Sequence, residues 1–515
     1  MEDVQELLRS KLQFGLLIGA LVVGGLTLWP WIADDRALRK FPLVDQEFGS
    51  RSKRRSRFVQ DSIGIYEKGY KMYRDVVFRI TESAGEVIVL PIKYLEELRK
   101  IPDDIIRATE ATEDVIQTKY LHTTPEDPLL NHILRADLTH KLSQLNERLC
   151  EEAARTVPEF LGKNREWTAI KVNATLLQIV AIVSGNAFVG PDYNRDEGFL
   201  RTTINFSVDL FGTAYQLRAW PWFLRFIGQY RLPGVKAVKE HKRRAKEFLE
   251  PIIKERRARL AAQEGYQEAD DMLQWMIAKA DKFNVVSDAE LADLQLTLSM
   301  TAIHTTTMMT TWVLYDLMYF CPEVIEDLRT EIKTVLARHD GALNTQAMSE
   351  MMLLDSVMRE TLRYNPVNVR AFQRYVRKTV KLSDGTVLPK GSHIGTPMHN
   401  VHFDPDLHPD PLVYNPYRFY DIRTGKVPDP LGYSDPKQHQ FVSLNKEINT
   451  FGYGRHACPG RFFASNEMKL LLARILLDYD IKMPEGQTTR YQNVVSSGAV
   501  MPDPTRDLMF KYIGK

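Results

Sequence analysis

FGYGRHACPG, residues 451–460, is the stretch of the chain that says most about its fold. Its glycines permit tight backbone conformations that residues with a Cβ avoid, so the amides of this loop can approach the sulfur of Cys458. An apolar-periodic helical stretch begins directly after the loop, at Arg461. Amide N–H groups and the N-terminus of a helix stabilise a thiolate and lower its pKa. The loop therefore predicts that Cys458 is held as a thiolate.

Three uses of such a cysteine have to be compared. A thiolate presented by a loop is an axial ligand for haem iron, to which it donates electron density that favours O–O cleavage. A lone cysteine is more often a buried, inert thiol. A zinc site would have to combine Cys458 with His456, and no second Cys or His pair in the sequence has ligand spacing. The neighbouring residues favour the haem ligand.

The decapeptide resembles the haem-binding loop of the cytochrome P-450 superfamily, Phe-x-x-Gly-x-Arg-x-Cys-x-Gly. The resemblance implies that Cys458 is the axial ligand of haem b and that Phe451 and Gly452 belong to the cofactor-binding loop. One position departs from the pattern, because His456 occupies the place of the Arg that pairs with a haem propionate. We expect His456 to take this role with help from Arg455, although imidazole carries a positive charge less reliably near neutral pH.

Two further motifs of this superfamily occur in the expected order along the chain. Glu360 and Arg363 lie three residues apart on a predicted helix, where they are neighbours, and PYRF at residues 416–419 supplies Arg418. A helical pair of this kind is usually solvated and of little energetic value. The resemblance implies a buried cluster instead, in which the three residues compensate one another's charge behind the haem and have no catalytic role.

A long helix is predicted over residues 291–320. SDAE at residues 287–290 has the pattern of a capping box that opens a helix, and Pro322 follows its end. About thirty residues at ~1.5 Å each span ~45 Å, which is enough to cross a whole domain. Its middle, TAIHTTT at residues 301–307, contains mediocre helix formers whose hydroxyls can bond back to carbonyls one turn earlier.

This middle segment resembles the oxygen-activation segment of the superfamily's long distal helix, Ala-Gly-x-Asp/Glu-Thr-Thr. Thr305 falls on the Thr, Ala302 on the Gly and His304 on the acid. Oxygen activation consumes protons, so the resemblance implies that Thr305 holds a water in the proton path and that His304 relays protons in place of the acid. The alternative is that His304 faces away and caps a polar network.

Two residues earlier in the chain, His132 and Arg135, are candidates for binding the haem propionates. The superfamily has a Trp-x-x-x-Arg motif in this region, and Trp167 with Lys171 looks similar but lies too late in the chain. His132 and Arg135 are better placed. We therefore expect Arg135 and His132 to contribute to cofactor binding.

The N-terminus predicts a single-pass membrane anchor. Residues 12–33 contain no charged residue and come close to the ~20 apolar residues that cross a bilayer. A cleaved signal peptide is the competing interpretation, but no small-residue cleavage site is convincing. Lys and Arg are denser after the span than before it, so the positive-inside rule places the C-terminal part in the cytosol. We expect an endoplasmic reticulum membrane protein with a lumenal segment 1–11, an anchor 12–33, a basic linker 34–60 and a cytosolic haem-thiolate domain 61–515.

Composition agrees with one large haem domain. The chain has 515 residues, and its hydrophobic content of 44% is ample for a core. Its net charge of +2 gives no indication of nucleic-acid binding. Three scattered cysteines argue against a disulfide scaffold. Residues 60–380 read mostly as helices, while residues 376–388 and the C-terminal tail read as short strands. The predicted fold is mostly α with small β-sheets (α+β), as the resemblance to the cytochrome P-450 fold implies.

The resemblance implies a monooxygenase that uses O2 to hydroxylate or oxidise an apolar small molecule. The chain contains no flavin or nicotinamide fingerprint, so electrons derived from NADPH have to come from a partner. We expect this partner to be a membrane-bound NADPH–cytochrome reductase, with cytochrome b5 as a second donor. The alternatives are a haem-thiolate isomerase, dehydratase or peroxygenase that needs no reductase, and a non-catalytic membrane haem sensor.

Two segments bear on the substrate. Residues 451–456 and 302–306 are most similar to fungal secondary-metabolism enzymes of the ent-kaurene-oxidase type, which favours a terpenoid. Substrate contacts are expected from the distal helix and from residues 366–370 and 496–501. These residues are mixed apolar and hydroxylic, which leaves a polyketide or a prenylated indole open.

Overall fold

The computed structural model describes residues 37–220, 224–262 and 268–514. The predicted lumenal segment and anchor, residues 1–33, therefore lie outside the described residues. Within the described ranges, no helix is both long and apolar enough to cross a membrane. The chain is mostly helical with small sheets, which confirms the predicted fold class.

Helices form most of the structure. The α-helices in chain order are α1 Arg51–Gln60, α2 Ser62–Tyr73, α3 Leu95–Leu98, α4 Ala108–Ile116, α5 Thr118–Leu121, α6 Pro128–His132, α7 Thr139–Leu161, α8 Val172–Phe188, α9 Glu197–Ala219, α10 Arg225–Arg231, α11 Pro233–Ala262, α12 Met272–Lys279, α13 Asp288–Phe320, α14 Val324–Arg338, α15 Thr345–Glu350, α16 Met352–Tyr364, α17 Met398–His402, α18 Arg418–Arg423 and α19 Arg461–Asp478. A π-helical segment, Ile133–Leu138, lies between α6 and α7.

The strands are short and form small sheets. They are β1 Phe78–Thr81, β2 Glu86–Val89, β3 Ile106–Arg107, β4 Thr168–Lys171, β5 Ala371–Val376, β6 Val380–Lys381, β7 Val387–Leu388, β8 His393–Thr396, β9 Tyr479–Lys482, β10 Val494–Ser496, β11 Ala499–Met501 and β12 Asp507–Tyr512. A five-stranded sheet has the order β1-β2-β8-β5-β3, a three-stranded sheet has the order β4-β12-β9, and β6-β7 and β10-β11 are hairpins. Neighbouring strands are antiparallel except for β2 and β8, which run parallel.

Five of these strands, β1 to β5, lie wholly in the part of the chain that reads mostly as helical, residues 60–380, and β5 is the longest of them with six residues. Strands β1 to β4 have only two to four residues each, which is too short for a hydrophobic period to separate strand from helix. Their pairing is decided by distant partners instead, since β2 pairs with β8 and β4 pairs with β12. Strands do occur in the two regions where the sequence predicts them, as β6 and β7 and as β9 to β12.

The long helix α13 organises the core. Its 33 residues correspond to ~50 Å. The capping box is present, because the Ser287 hydroxyl accepts from the Glu290 N–H at 3.2 Å while the Glu290 carboxylate accepts from the Ser287 N–H at 3.2 Å. The helix packs against α8, α9, α11, α16 and α19, so it passes through the middle of the helical layer. The loop of residues 451–460 leads directly into α19. Because α19 packs against α13, the cysteine loop and α13 lie in the same region.

Candidate active site

The cysteine loop is closed by its own backbone. The Cys458 N–H donates to the Phe451 carbonyl at 2.7 Å, and Gly452 and Gly454 have φ angles of 78° and 73°. A Cβ on Gly452 would lie 3.2 Å from the His456 carbonyl oxygen, and one on Gly454 would lie 2.9 Å from the Arg99 Cβ. The backbone therefore needs glycine at both positions for its conformation and for its close contacts.

Burial acts against the lowered pKa that the loop predicts for Cys458. Burial raises the pKa of the Cys458 thiol, while the N–H groups of Gly460 and Arg461 and the positive charge of Arg461 act in the opposite direction. The amides do point at the sulfur, but the cost of burying a thiolate outweighs them. A metal cation at the sulfur reverses this balance, because a coordinating thiol is deprotonated outright.

A cavity of about 410 Å³ adjoins this sulfur. Cys458 and Phe451 line it on the side of the loop, and Ala302, Thr305 and Met309 of α13 line it on the other side. Most lining side chains are apolar, whereas His456 and Arg135 supply basic groups. A haem requires a sulfur ligand, an apolar space for its ring and basic groups for its two propionate carboxylates. Cys458, the apolar lining, and His456 with Arg135 supply these three features. The residues present therefore fit this cofactor.

The structure brings three of the predicted cofactor residues together. His456 Nε2 lies 2.8 Å from Asp103 Oδ1, and His456 Nδ1 lies 3.6 Å from Glu126 Oε1. Arg135 donates to the Arg455 carbonyl at 2.7 Å, and Arg455 Nε lies 3.5 Å from Asp103 Oδ1. The hydrogen bond with His456 helps to lower the pKa of Glu126 to about 2. His456 thus has carboxylate partners, the same chemical group as a propionate.

His132 is placed differently from the prediction. Its Nε2 lies 3.3 Å from Lys279 Nζ and 3.9 Å from Asp137 Oδ2, and its ring packs against Phe283 with centroids 5.1 Å apart. It is not among the residues that line the cavity. His132 therefore lies outside the cavity, and its imidazole contacts Lys279 of α12 and Phe283 of the turn that follows α12.

Arg374 is a further basic residue near this cluster that no sequence motif identifies. It lies on β5, where burial alternates and puts it on the same inner face as Phe372 and Val376. Burial lowers its pKa to about 10, and the charges of Asp103 and Glu126 oppose this shift. The sequence feature that could have identified Arg374 is a charged residue at an inward-facing position of a short strand.

Across the cavity, Thr305 and His304 point in different directions. Thr305 lines the cavity, and its hydroxyl donates to the Thr301 carbonyl at 2.8 Å, with the Ala302 carbonyl at 3.3 Å. His304 Nε2 lies 3.0 Å from the Ile204 carbonyl of α9, and His304 does not line the cavity. Burial lowers the pKa of His304, which favours the neutral ring donating to that carbonyl. The geometry therefore corresponds to the alternative in which His304 faces away, and it does not supply the predicted relay.

The three charged residues of the two upstream motifs meet in one buried cluster. Arg363 donates to both Glu360 oxygens at 2.8 Å, and Arg418 Nε lies 3.0 and 3.2 Å from the same two oxygens. The Asn415 N–H adds a further bond to Glu360 at 3.0 Å. Arg363 also donates to the carbonyls of His402 and Pro411. Glu360 and Arg363 are fully buried, so neither is a solvated surface group.

These features define a haem-thiolate protein. Its sulfur ligand comes from the loop before α19, and α13 forms the opposite wall of the cavity beside that sulfur. Comparison with known sequences makes the assignment specific. The chain belongs to the cytochrome P450 family, because the family's sequence model, described as Cytochrome P450, matches residues 102–510. It is accordingly a monooxygenase, which makes it an oxidoreductase.

Two curated proteins from fungi illustrate the similarity. The chain is 34% identical to Cytochrome P450 monooxygenase AN1598 of Emericella nidulans over 459 residues, which cover 88% of this chain and 84% of that protein. It is 31% identical to Ent-kaurene oxidase of Fusarium fujikuroi over 456 residues, which cover 87% of this chain and 83% of that protein. Among solved structures, retinoic acid-bound cyanobacterial CYP120A1 has the same fold, with a TM-score of 0.65 at 20% identity over 88% of this chain and 95% of that chain.

Proposed function

We propose that this monooxygenase uses haem b to hydroxylate or oxidise a terpenoid in fungal secondary metabolism. The observation that carries the proposal is the apolar cavity of about 410 Å³ with the Cys458 sulfur on one side and the Thr305 hydroxyl on the other. Haem would take the Cys458 side of this cavity, so a substrate would meet the wall formed by α13, where Ala302 and Met309 are apolar and suit a hydrocarbon-rich ligand. The similarity to ent-kaurene oxidase supports the terpenoid class.

Each side chain of the site has a role in this proposal. Haem, when bound, supplies the iron centre at which O2 is activated, with Cys458 as its sulfur ligand. His456 and Arg135 would hold the propionates, and Arg455 positions Arg135 through its carbonyl. The apolar residues around them exclude water from the reacting centre.

Thr305 serves proton delivery in this scheme. Its hydroxyl is bonded to a carbonyl of its own helix at 2.8 Å, so its oxygen can accept a hydrogen bond from a water in the cavity. Such a water is the proton source that we propose. His304 has a structural role, because its ring forms a hydrogen bond with the Ile204 carbonyl and so fixes α13 against α9.

We further propose the cellular setting from the sequence. Residues 1–11 are lumenal, residues 12–33 anchor the chain in the endoplasmic reticulum membrane, and residues 34–60 link the anchor to the cytosolic domain 61–515. Cytochrome P450 enzymes generally take electrons from a redox partner. An NADPH–cytochrome reductase on the same membrane fits this arrangement, with cytochrome b5 as a second donor.

Expression of the full chain together with a reductase tests the function. Cells or membranes are supplied with diterpene hydrocarbons, a polyketide and a prenylated indole, and products are analysed by mass. We expect NADPH-dependent gain of oxygen on a terpenoid and none with the Cys458→Ser variant. Oxygen gain only on the polyketide or the indole would contradict the substrate class. Turnover with hydrogen peroxide alone would contradict the electron supply. So would an unoxidised isomer or a dehydration product formed without NADPH. Haem binding without NADPH-dependent oxygen consumption would indicate a sensor.

A further inference from the structure

Thr301 adds a second hydroxyl group to the α13 wall of the cavity. It lies one helical turn before Thr305, so the two side chains are neighbours on one face of the helix, and both line the cavity. Both residues are exposed, whereas Thr306, the third threonine of this wall, is buried. The segment Ala-Gly-x-Asp/Glu-Thr-Thr that residues 301–306 resemble begins with Ala, so the Thr301 hydroxyl is a departure of this chain.

The hydrogen bond of Thr301 leaves its oxygen able to accept. Its hydroxyl donates to the Leu298 carbonyl at 2.9 Å, which uses the one proton that the group carries. Two lone pairs remain on the oxygen. While this bond is kept, a ligand group that meets the oxygen has to be a donor. An alcohol can donate, whereas a ketone, an aldehyde or an ether cannot.

The residues beside Thr301 make an unmet acceptor costly. Leu298 and Ala302, its neighbours on the cavity wall, have apolar side chains. Water can bond to the Thr301 oxygen until a substrate displaces it. An apolar substrate removes this water without a replacement, which costs free energy. A substrate alcohol at the same place supplies the replacement, so the site favours the alcohol over the hydrocarbon.

Bonding back to the helix does not by itself distinguish Thr301. Three later threonines of α13, Thr307, Thr310 and Thr311, also donate to carbonyls of the preceding turn, at 2.7 to 2.9 Å. All three are buried, and none of them lines the cavity. The feature that separates Thr301 and Thr305 from them is therefore exposure to the space in which a substrate is oxidised.

We propose that Thr301 selects a substrate that already carries an alcohol, by accepting a hydrogen bond from it. The proposal rests on the proposed oxidation of a terpenoid and narrows the substrate to a terpenoid alcohol. Side chains one helical turn apart are separated by roughly 5–6 Å, so the alcohol lies about that far along α13 from Thr305. An earlier step has to introduce this alcohol, either hydration during cyclisation or a previous oxidation.

Binding of terpenoids that share one skeleton tests the proposal. Abietadiene, abietadienol and abietadienal carry no oxygen, an alcohol or an aldehyde, and bornane, borneol and camphor form a second set with a ketone. Each compound is titrated into the full-length, haem-loaded protein in detergent, and its Kd is read from the change in haem absorbance. We expect an alcohol to bind most tightly in the wild type.

Thr301→Val keeps the shape of the side chain and removes the hydroxyl. It should weaken binding of the alcohol roughly tenfold, because the alcohol is then buried without its acceptor, and leave the hydrocarbon within about twofold. Thr301→Ala, which installs the residue of the resembled segment, should do the same and decides the test if Thr301→Val does not retain haem. Thr301→Ser restores the hydroxyl and should restore the preference for the alcohol.

The matched control is Thr310→Val, which removes a hydroxyl bonded in a similar way on the same helix but outside the cavity. It should bind all six compounds as the wild type does. Turnover with NADPH and a reductase gives a second readout. Thr301→Val should raise the KM for the alcohol and spread oxidation over more positions, with the release of hydrogen peroxide unchanged.

Three results would overturn the role of Thr301. Equal weakening of the alcohol and the hydrocarbon in Thr301→Val would show that the residue only packs. An unchanged preference for the alcohol would place its partner elsewhere in the cavity. Unchanged binding with more hydrogen peroxide would assign Thr301 to proton delivery beside Thr305. Failure of the proposed function differs from these results, because the wild type would then bind and oxidise neither terpenoid set while its haem keeps the sulfur ligand.

Discussion

The two sides of the active-site cavity hold their polar groups in different ways. Behind the cysteine loop, Glu360 is fully buried as an ion and accepts hydrogen bonds from two arginines and a backbone N–H. On α13, Thr305 and the neighbouring threonines donate to carbonyls of their own helix. The first side is an ionic framework whose members depend on one another. The second side is neutral, so a single change there leaves no uncompensated charge.

Glu467 is the exception on the cysteine side and shows what compensation achieves. It lies on α19, fully buried like Glu360, but its only partner among the described residues is the Ser184 hydroxyl at 2.6 Å, and its Oε2 has none. Burial raises the pKa of Glu467 to about 8. Two buried glutamates beside one site thus differ in their partners, because only one of them has arginines.

The largest effect is expected for Glu360→Ala. Removal of the carboxylate leaves Arg363 and Arg418 as buried, uncompensated cations, which costs roughly 3–5 kcal/mol. The variant should accumulate without haem or not at all, measured as haem absorbance per mole of protein. Glu151→Ala, at an exposed position, is the matched control. A soluble, haem-replete and active Glu360→Ala protein would contradict the ionic framework.

Glu467→Gln should change the pH dependence of stability. Between the unfolded pKa of 4.5 and the folded pKa of about 8, the folded state keeps a proton that the unfolded state has lost. Stability contributed by this group is therefore present below pH 4.5 and is lost as the pH rises to about 8. Glutamine carries no such charge, so the variant should be more stable than the wild type by on the order of 2–5 kcal/mol at pH 8, measured by denaturant unfolding. Parallel pH profiles for the two proteins would show that Glu467 ionises freely.

Thr305→Ala should leave the framework intact and alter the chemistry. Haem content and unfolding should match the wild type, because the lost hydroxyl bonds only to its own helix. NADPH consumption should continue, with more hydrogen peroxide and roughly tenfold or more less oxidised product, since positioned proton transfer contributes about 10²–10⁴-fold to rates. Thr305→Ser restores the hydroxyl and should recover coupling. Fully coupled turnover by Thr305→Ala would remove the residue from proton delivery.

The smallest effect is expected for His304→Ala. The lost hydrogen bond to Ile204 costs about 1 kcal/mol of stability. Product formation should stay within about twofold of the wild type at each pH, because the ring points to α9. A slowing that grows as the pH rises would instead restore His304 to the relay that the sequence predicts.

Local motifs account for most of what the sequence predicts about the fold and site. The cysteine loop, the capping box of α13 and the Glu360–Arg363 spacing each lie within a few residues, so their geometry is contained in the local sequence. The contacts of His132 and His304 are made with Lys279 and Ile204, which are distant in sequence, so no local motif contains them. The net pKa shift of Cys458 depends on burial by the whole fold.

Cys458 carries the central claim that this chain is a haem-thiolate monooxygenase. The direct measurement is the absorbance spectrum of the reduced, carbon monoxide-bound protein, which reports the atom opposite the bound gas. We expect the strongly red-shifted Soret band of sulfur ligation in the wild type, and its loss together with haem or turnover in Cys458→Ala. Cys150→Ala is the matched control and should keep the band. An unchanged spectrum in Cys458→Ala would contradict the assignment of the ligand.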